Sequence, residues 1–150
     1  MAGKNRNFNG VQINQSATIV EQAGADIADA RNRIMAYDED GNVVLAADGS
    51  TVLIGISLIE AGVNDISGVE SGKVSAGDDV DIQIKDIGYI LAGGDIAKGE
   101  EVTASEGLAV KAEGGNYIVG IALSAAKKDE YCRVQIAKYQ KGKEEVKNNG

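Results

Sequence analysis

Any catalysis by this chain has to come from carboxylates, because its 150 residues include no histidine and a single cysteine, Cys132. Without imidazole there is no Ser-His or Cys-His pair to activate a nucleophile and no histidine ligand for zinc or iron. One thiol can form neither a thiolate cluster nor an internal disulfide. Two acidic groups remain. Asp38-Glu39-Asp40-Gly41-Asn42 begins like a calcium loop, in which alternating Asp side chains converge as hard oxygen ligands. The twelfth position, where the bidentate Glu belongs, is Gly49, so an Asp-Gly hairpin turn is the expectation. In Asp78-Asp79-Val80-Asp81, strand alternation sends Asp79 and Asp81 to one face. Paired acids cleave glycosides when one is held protonated in an apolar pocket, but no aromatic platform for a sugar accompanies this pair. A solvated strand edge is expected there.

Glycine-rich phosphate sites are no better supported. Gly93-Gly94 and Gly114-Gly115 are not followed by the Gly-Lys-Ser/Thr ending of a P-loop, and both read as turns. Cys132 sits in Tyr131-Cys132-Arg133-Val134-Gln135-Ile136, where alternation makes it a small buried hydrophobe. No catalytic residue, metal ligand or cofactor site is therefore assigned. The chain is expected to act by binding and not as an enzyme.

The elements that would position such a binding surface are strands. Short Val/Ile-rich runs separated by Gly, Asp, Asn and Ser predict an all-β protein, a compact barrel or sandwich. Strands are expected near residues 17–21, 33–37, 42–46, 51–58, 80–84, 87–91, 101–104, 108–112, 116–123 and 131–137. In the ninth, Tyr117, Val119, Ile121 and Leu123 would share one face, with Ile118, Gly120 and Ala122 on the other. Gly55 and Gly120, in mid-strand, imply a bulge or the close approach of another backbone. The core should be thin and aliphatic, since the chain has five Tyr, one Phe and no Trp.

These strands come in two tandem copies of a Gly-rich β unit. With Gly55 placed on Gly120, residues 41–61 lie over residues 106–126 with 6 of 21 positions identical. Ala23 to Ala28 answers Ala92 to Ala97, Ile34 and Ala36 answer Val102 and Ala104, and Ile82-Gln83-Ile84 answers Val134-Gln135-Ile136. Val11-Gln12-Ile13 is a third echo of that last element. Gly24 to Arg33 has helical spacing, yet its counterpart carries Gly99, so a loop is expected. Residues 62–77 form an excursion thirteen residues longer in the first copy than in the second. The organisation read from this is a basic extended arm at 1–10, a duplicated β domain at 11–137 with copies at 11–84 and 82–137, and a flexible polar tail at 138–150.

Charge follows the same division. The net charge is −8, but residues 11–137 carry −12 and each end +2. Binding nucleic acid requires cationic groups that displace phosphate counterions, so an acidic body argues against DNA or RNA as a partner. There is no run of about 18 apolar residues for a membrane span, and the start lacks the apolar stretch of a secretory signal. Synthesis in a cytoplasm is the expectation.

Ala92 to Ile136 resembles the repeat of bacteriophage capsid decoration (cement) proteins. The resemblance rests on Gly99, Val102-Thr103, Gly107, Ala109-Val110, Val119 to Leu123 and the closing Val134 to Ile136. Glu100 and Glu101 depart from the pattern, which has Asp and a small apolar residue there. The resemblance implies a structural virion protein that binds the major capsid protein on the outer surface of a phage head and stabilises the shell. It also implies a homo-oligomer, commonly a trimer. The arm Lys4, Asn5, Arg6 and Phe8, opposite in charge to the body, is the expected capsid contact. The alternative reading is a virion or extracellular β module that binds a glycan or host surface.

Overall fold

Val, Ile and Tyr crowd the pleated backbone favourably, whereas Gly, Asp and Asn tolerate the conformations that turns require. The computed structural model describes residues 17–58, 61–63, 66 and 71–143. Ten strands run through them: β1 Thr18–Gln22, β2 Ile34–Tyr37, β3 Val43–Leu45, β4 Leu53–Ser57, β5 Asp79–Gln83, β6 Ile87–Leu91, β7 Glu101–Ser105, β8 Leu108–Lys111, β9 Tyr117–Ala122 and β10 Tyr131–Gln140. The fold is all-β, and no helix occurs among the described residues. Gly24 to Arg33 is a loop, as its glycine-bearing counterpart implied.

The strands form two five-stranded antiparallel sheets, ordered β1-β5-β4-β2-β3 and β6-β10-β9-β7-β8. Replacing each strand of the first order by the one five places later gives the second, so the same connectivity is traced twice. The loops repeat too. Ile27 and Val74 exchange backbone hydrogen bonds of 2.8 and 2.9 Å, and Ile96 and Ala126 exchange bonds of 2.8 and 3.0 Å. The first sheet ends with β5 and the second begins with β6, so the Ile82 strand pairs only within the first sheet.

Gly55 and Gly120 show why the repeat keeps glycine at these positions. A Cβ on Gly55 would stand 2.1 Å from the carbonyl oxygen of Gln83, and one on Gly120 would stand 2.1 Å from that of Gln135. Each glycine lets β4 or β9 approach the closing strand of its own copy. Each also lies beside a register shift, between Met35 and Ala36 along β2 and between Ile136 and Tyr139 along β10. The shift breaks the expected alternation. Tyr117 and Val119 pack into the same cluster as Ala122 rather than opposite it.

The two sheets share their core in series. Met35, Val43, Ile54, Val80 and Ile82 turn to one side of the first sheet and bury with Ala23, Ile27, Ala30, Ala61 and Val74 from its loops. The matching positions of the second copy, Val102, Ala109, Val119, Cys132 and Val134 with Ala92, Ile96 and Ala126, form another cluster. Ile34, Ala36, Leu53 and Ile56, on the opposite face of the first sheet, are laid into that second cluster. Burying Ile or Leu is worth ~1.5–3 kcal/mol per side chain, so this face binds the halves firmly. Backbone bonds tie the seam. Gly107 N–H donates to Ala46 O at 2.8 Å, Ile34 N–H to Gly107 O at 2.8 Å, and Tyr117 N–H to Gly49 O at 2.8 Å.

One boundary differs from expectation. β10 continues through Lys138, Tyr139 and Gln140, residues expected to begin a tail. The bulge turns the strand so that the Lys138 ammonium donates to Ile54 O at 2.9 Å and the Tyr139 hydroxyl to Glu101 at 2.6 Å. Tertiary partners on β4 and β7 hold what composition alone marks as solvated.

Candidate interaction surfaces

The expected contact residues Lys4, Asn5, Arg6 and Phe8 lie outside the described residues, as does Val11-Gln12-Ile13. Of the long excursion, residues 62–63, 66 and 71–77 are described. Val63 N–H donates to Lys73 O at 3.0 Å and Gly72 N–H to Val63 O at 2.7 Å, while Ala30 N–H donates to Gly72 O at 2.8 Å. The added length therefore leaves at Ala61 and returns at Val74, which occupies the place of Ala126. Ser75 to Asp78 is the repeat's own turn, closed by Asp78 N–H to Ser75 O at 3.0 Å as Glu130 N–H closes on Lys127 O at 3.0 Å. Ile66 in the excursion is fully exposed and Val63 half exposed.

The acidic groups are placed by local geometry. Asp38 Oδ1 accepts the N–H groups of Asp40 and Asn42, each at 2.9 Å, and Gly41 has φ +82°. This is the Asp-Gly turn joining β2 to β3. Asp79 and Asp81 are exposed on β5. Their strand is second from the edge and not at the edge as expected, because β1 covers it from Gln22 to Thr18. Cys132 is fully buried. Its Sγ donates to Ser124 O at 3.4 Å, and burial pushes the thiol up from its ordinary pKa.

A charged cluster stands on the outer side of the second sheet. Tyr139 donates to Glu101 at 2.6 Å, and Lys141 lies 3.1 Å from the same carboxylate. Burial, and then the Glu101 hydrogen bond, push the Tyr139 phenol up to about 12. The Tyr139 hydrogen bond, and then Lys141, hold Glu101 below the ordinary carboxylate range. Lys111 is 3.6 Å from Glu100, so the shallow polar recess between Lys111, Glu113, Gly114 and Lys141 has its two lysines already matched by acids.

Beside this cluster lies a surface that reading the sequence for chemistry passed over. In β6 and β10, Gly88, Ile90, Cys132 and Val134 are buried, so alternation turns Ile87, Tyr89 and Tyr131 outward. About half of each of those three side chains is exposed: 49%, 51% and 52%. Cross-strand pairing sets Tyr89 beside Arg133 and Ile87 beside Gln135, and Gln135 is followed by half-buried Ile121 on β9. The period-two pattern of IGYIL and YCRVQI contains this information. A flat apolar face with an arginine can bind a protein surface, whereas it offers no acid, base or nucleophile in a cleft.

No protein-family model matches the chain, and no curated protein matches it. Among solved structures it is similar to the N base of the head fiber gp8.5 of bacteriophage phi29. The identity is 17% and the TM-score 0.53, over 82% of this chain and 95% of that one. The likeness is one of fold, extending over nearly all of the phage domain.

Proposed function

We propose that this chain is a structural virion protein of a bacteriophage that binds the outer surface of the capsid and stabilises the shell. The observation that carries the reading is the fold likeness to the N base of a phage head fiber, which takes in almost the whole of that domain. The resemblance of Ala92 to Ile136 to decoration-protein repeats supports the same assignment independently of the fold.

On this reading the chain works by binding and not by catalysis, with the major capsid protein as its partner. A homotrimer seated on three-fold or quasi-three-fold positions of the lattice needs only modest contacts per subunit, since each further contact is intramolecular once the first has formed. The arm Lys4, Asn5, Arg6 and Phe8 reaches the capsid, its positive charge opposed to the −12 of the body. Mixing the purified protein with undecorated cognate heads, then sedimenting and imaging them, tests this. Added density on the outer surface and greater resistance of the heads to heat or low salt are expected. Heads that stay bare at saturating protein would refute it.

A further inference from the structure

Four strands stand at sheet edges, β1 and β3 in the first sheet and β6 and β8 in the second. The backbone groups that an edge strand turns away from its sheet need another partner. On β6 the first copy supplies it. Gln83 Nε2 donates to Ile87 O at 2.8 Å, Asn32 Nδ2 donates to Tyr89 O at 3.1 Å, and Leu91 N–H donates to Asn32 O at 3.2 Å. On β3 and β8, Gly24 N–H donates to Val43 O and Gly93 N–H to Ala109 O, each at 2.8 Å.

β1 has no such cover among the described residues. Ile84 N–H donates to Ala17 O at 3.1 Å and Ala23 N–H to Asp78 O at 2.8 Å, so the odd-numbered residues between them bond to β5. The N–H and C=O groups of Thr18, Val20 and Gln22 therefore point outward, where they meet no partner among the described residues. The strand, TIVEQ, has neither the Lys nor the Pro that commonly protects an edge, and Val20 is 57% exposed.

An extended segment completes such an edge, and one in this chain fits in three respects. Val11-Gln12-Ile13 echoes Ile82-Gln83-Ile84 and Val134-Gln135-Ile136, and both of those lie antiparallel to the start of β1 or of its counterpart β6. Gln83 is opposite Thr18, and Gln135 is opposite Ile87. Four residues, Asn14 to Ala17, separate Ile13 from Thr18, which is the length of a common hairpin loop. Charge fits as well. Residues 17–84 hold three cations against thirteen carboxylates, a net −10. A segment antiparallel to β1 carries Lys4 and Arg6 toward the Gln22 end, where Asp79 is opposite Gln22 and Asp26 accepts from Ala76 N–H.

We infer that residues 11–13 add to the outer edge of β1 of their own chain as a sixth, antiparallel strand of the first sheet. The short tether gives this segment a high effective concentration at the edge, ahead of any separate chain. The added strand forms without capsid, so it goes beyond the capsid reading, and it directs Lys4 to Phe8 out of the domain past Gln22.

Residue-resolved hydrogen exchange on the full chain, over a range of concentrations, tests this. The Thr18 and Val20 amides are expected to be protected at every concentration. Deleting residues 2–9 should keep that protection, and deleting residues 2–13 should abolish it. Gln12→Pro and Ile13→Pro cover the case in which the longer deletion does not fold. Adjacent residues point their N–H groups to opposite sides, so one of the two prolines removes a donor to β1. Ile19 and Glu21, which face β5, should stay protected in every folded variant. Fast exchange of Thr18 and Val20 in the full chain overturns the inference, as does protection that survives the longer deletion or both prolines. Protection that vanishes on dilution also overturns it, because a second copy then supplies the segment. Head binding is scored separately. Unprotected amides with bound heads leave the capsid reading standing, and protected amides with bare heads leave the added strand standing.

Discussion

Replacing Gly120 by alanine puts the close approach of β9 to β10 to a direct test. The new Cβ would lie 2.1 Å from Gln135 O and 2.6 Å from Val134 Cγ1. The first is a backbone atom and cannot swing aside as a side chain can. An ordinary carbon–oxygen contact is more than an ångström longer, so the two strands must part locally. Overpacking costs ~1–3 kcal/mol, and weakening one ladder hydrogen bond adds ~1 kcal/mol, for a total of ~2–4 kcal/mol. At ~2–4 °C per kcal/mol for a chain of this size, the melting temperature should fall by ~4–16 °C. Gly55→Ala, with its 2.1 Å approach to Gln83 O, should lose a similar amount, because both copies use the same device. Gly94→Ala is the control. Nothing lies within 4 Å of its Cβ position and its φ is not positive, so it should be neutral or stabilising by ~0.4–1 kcal/mol. Urea and thermal unfolding followed by circular dichroism give all three values. If Gly120→Ala melts with Gly94→Ala, the glycines are not there for strand approach.

Other consequences follow from the buried thiol, the tyrosine cluster and the basic arm. Cys132 is buried with its thiol pKa raised, so a thiol reagent should label the native protein only at the rate of structural opening, accelerating with denaturant. Labelling at the rate of a free thiol would contradict its burial. Because its folded pKa is raised, Tyr139 contributes stability that is intact below the ordinary tyrosine value of ~10 and is lost as pH rises through about 12. Phenolate absorbance should show a late titration from Tyr139 together with Tyr37, which burial and its hydrogen bond to Glu21 also push up; Glu101→Gln should bring the Tyr139 part down and Glu100→Gln should not move it. The depressed Glu101 works in the opposite range, stabilising above the ordinary carboxylate pKa and losing its effect as pH falls through its folded value. Acid unfolding of Glu101→Gln should accordingly show a shallower pH dependence than that of the parent. Deleting residues 2–9 should weaken head binding without shifting the melting temperature, and unchanged binding would remove the arm from the contact.

Much of the fold was legible because the repeat supplied two readings of each element. Gly24 to Arg33 alone reads as helix, and only the counterpart with Gly99 corrects it. The strand positions followed from short β-branched runs between turn residues, and the mid-strand glycines announced close backbone approach. What alignment could not supply was register at the bulges. The hydrogen bonds match Met35, not Ile34, to Val102, because Met35 pairs with Gly55 and Val102 with Gly120. Strict alternation along β9 separates Val119 from Ala122, and the two share one core cluster. The extension of β10 to Gln140 depends on Glu101 and Ile54, residues distant in sequence, so a local reading ended it early. The outer face at Tyr89 and Tyr131 was implicit in the alternation of β6 and β10. It was missed because a search for chemistry looks for acids, bases and nucleophiles, and this surface holds tyrosine, isoleucine and one arginine.

The capsid reading is tested most directly by electron cryomicroscopy of cognate heads assembled without this protein and then incubated with it. The account predicts new, symmetry-ordered density on the outer surface into which the two-sheet fold fits, with the protein co-sedimenting at a fixed ratio to the major capsid protein. Heads that remain bare, with all the protein left in the supernatant at saturating concentration, would contradict it.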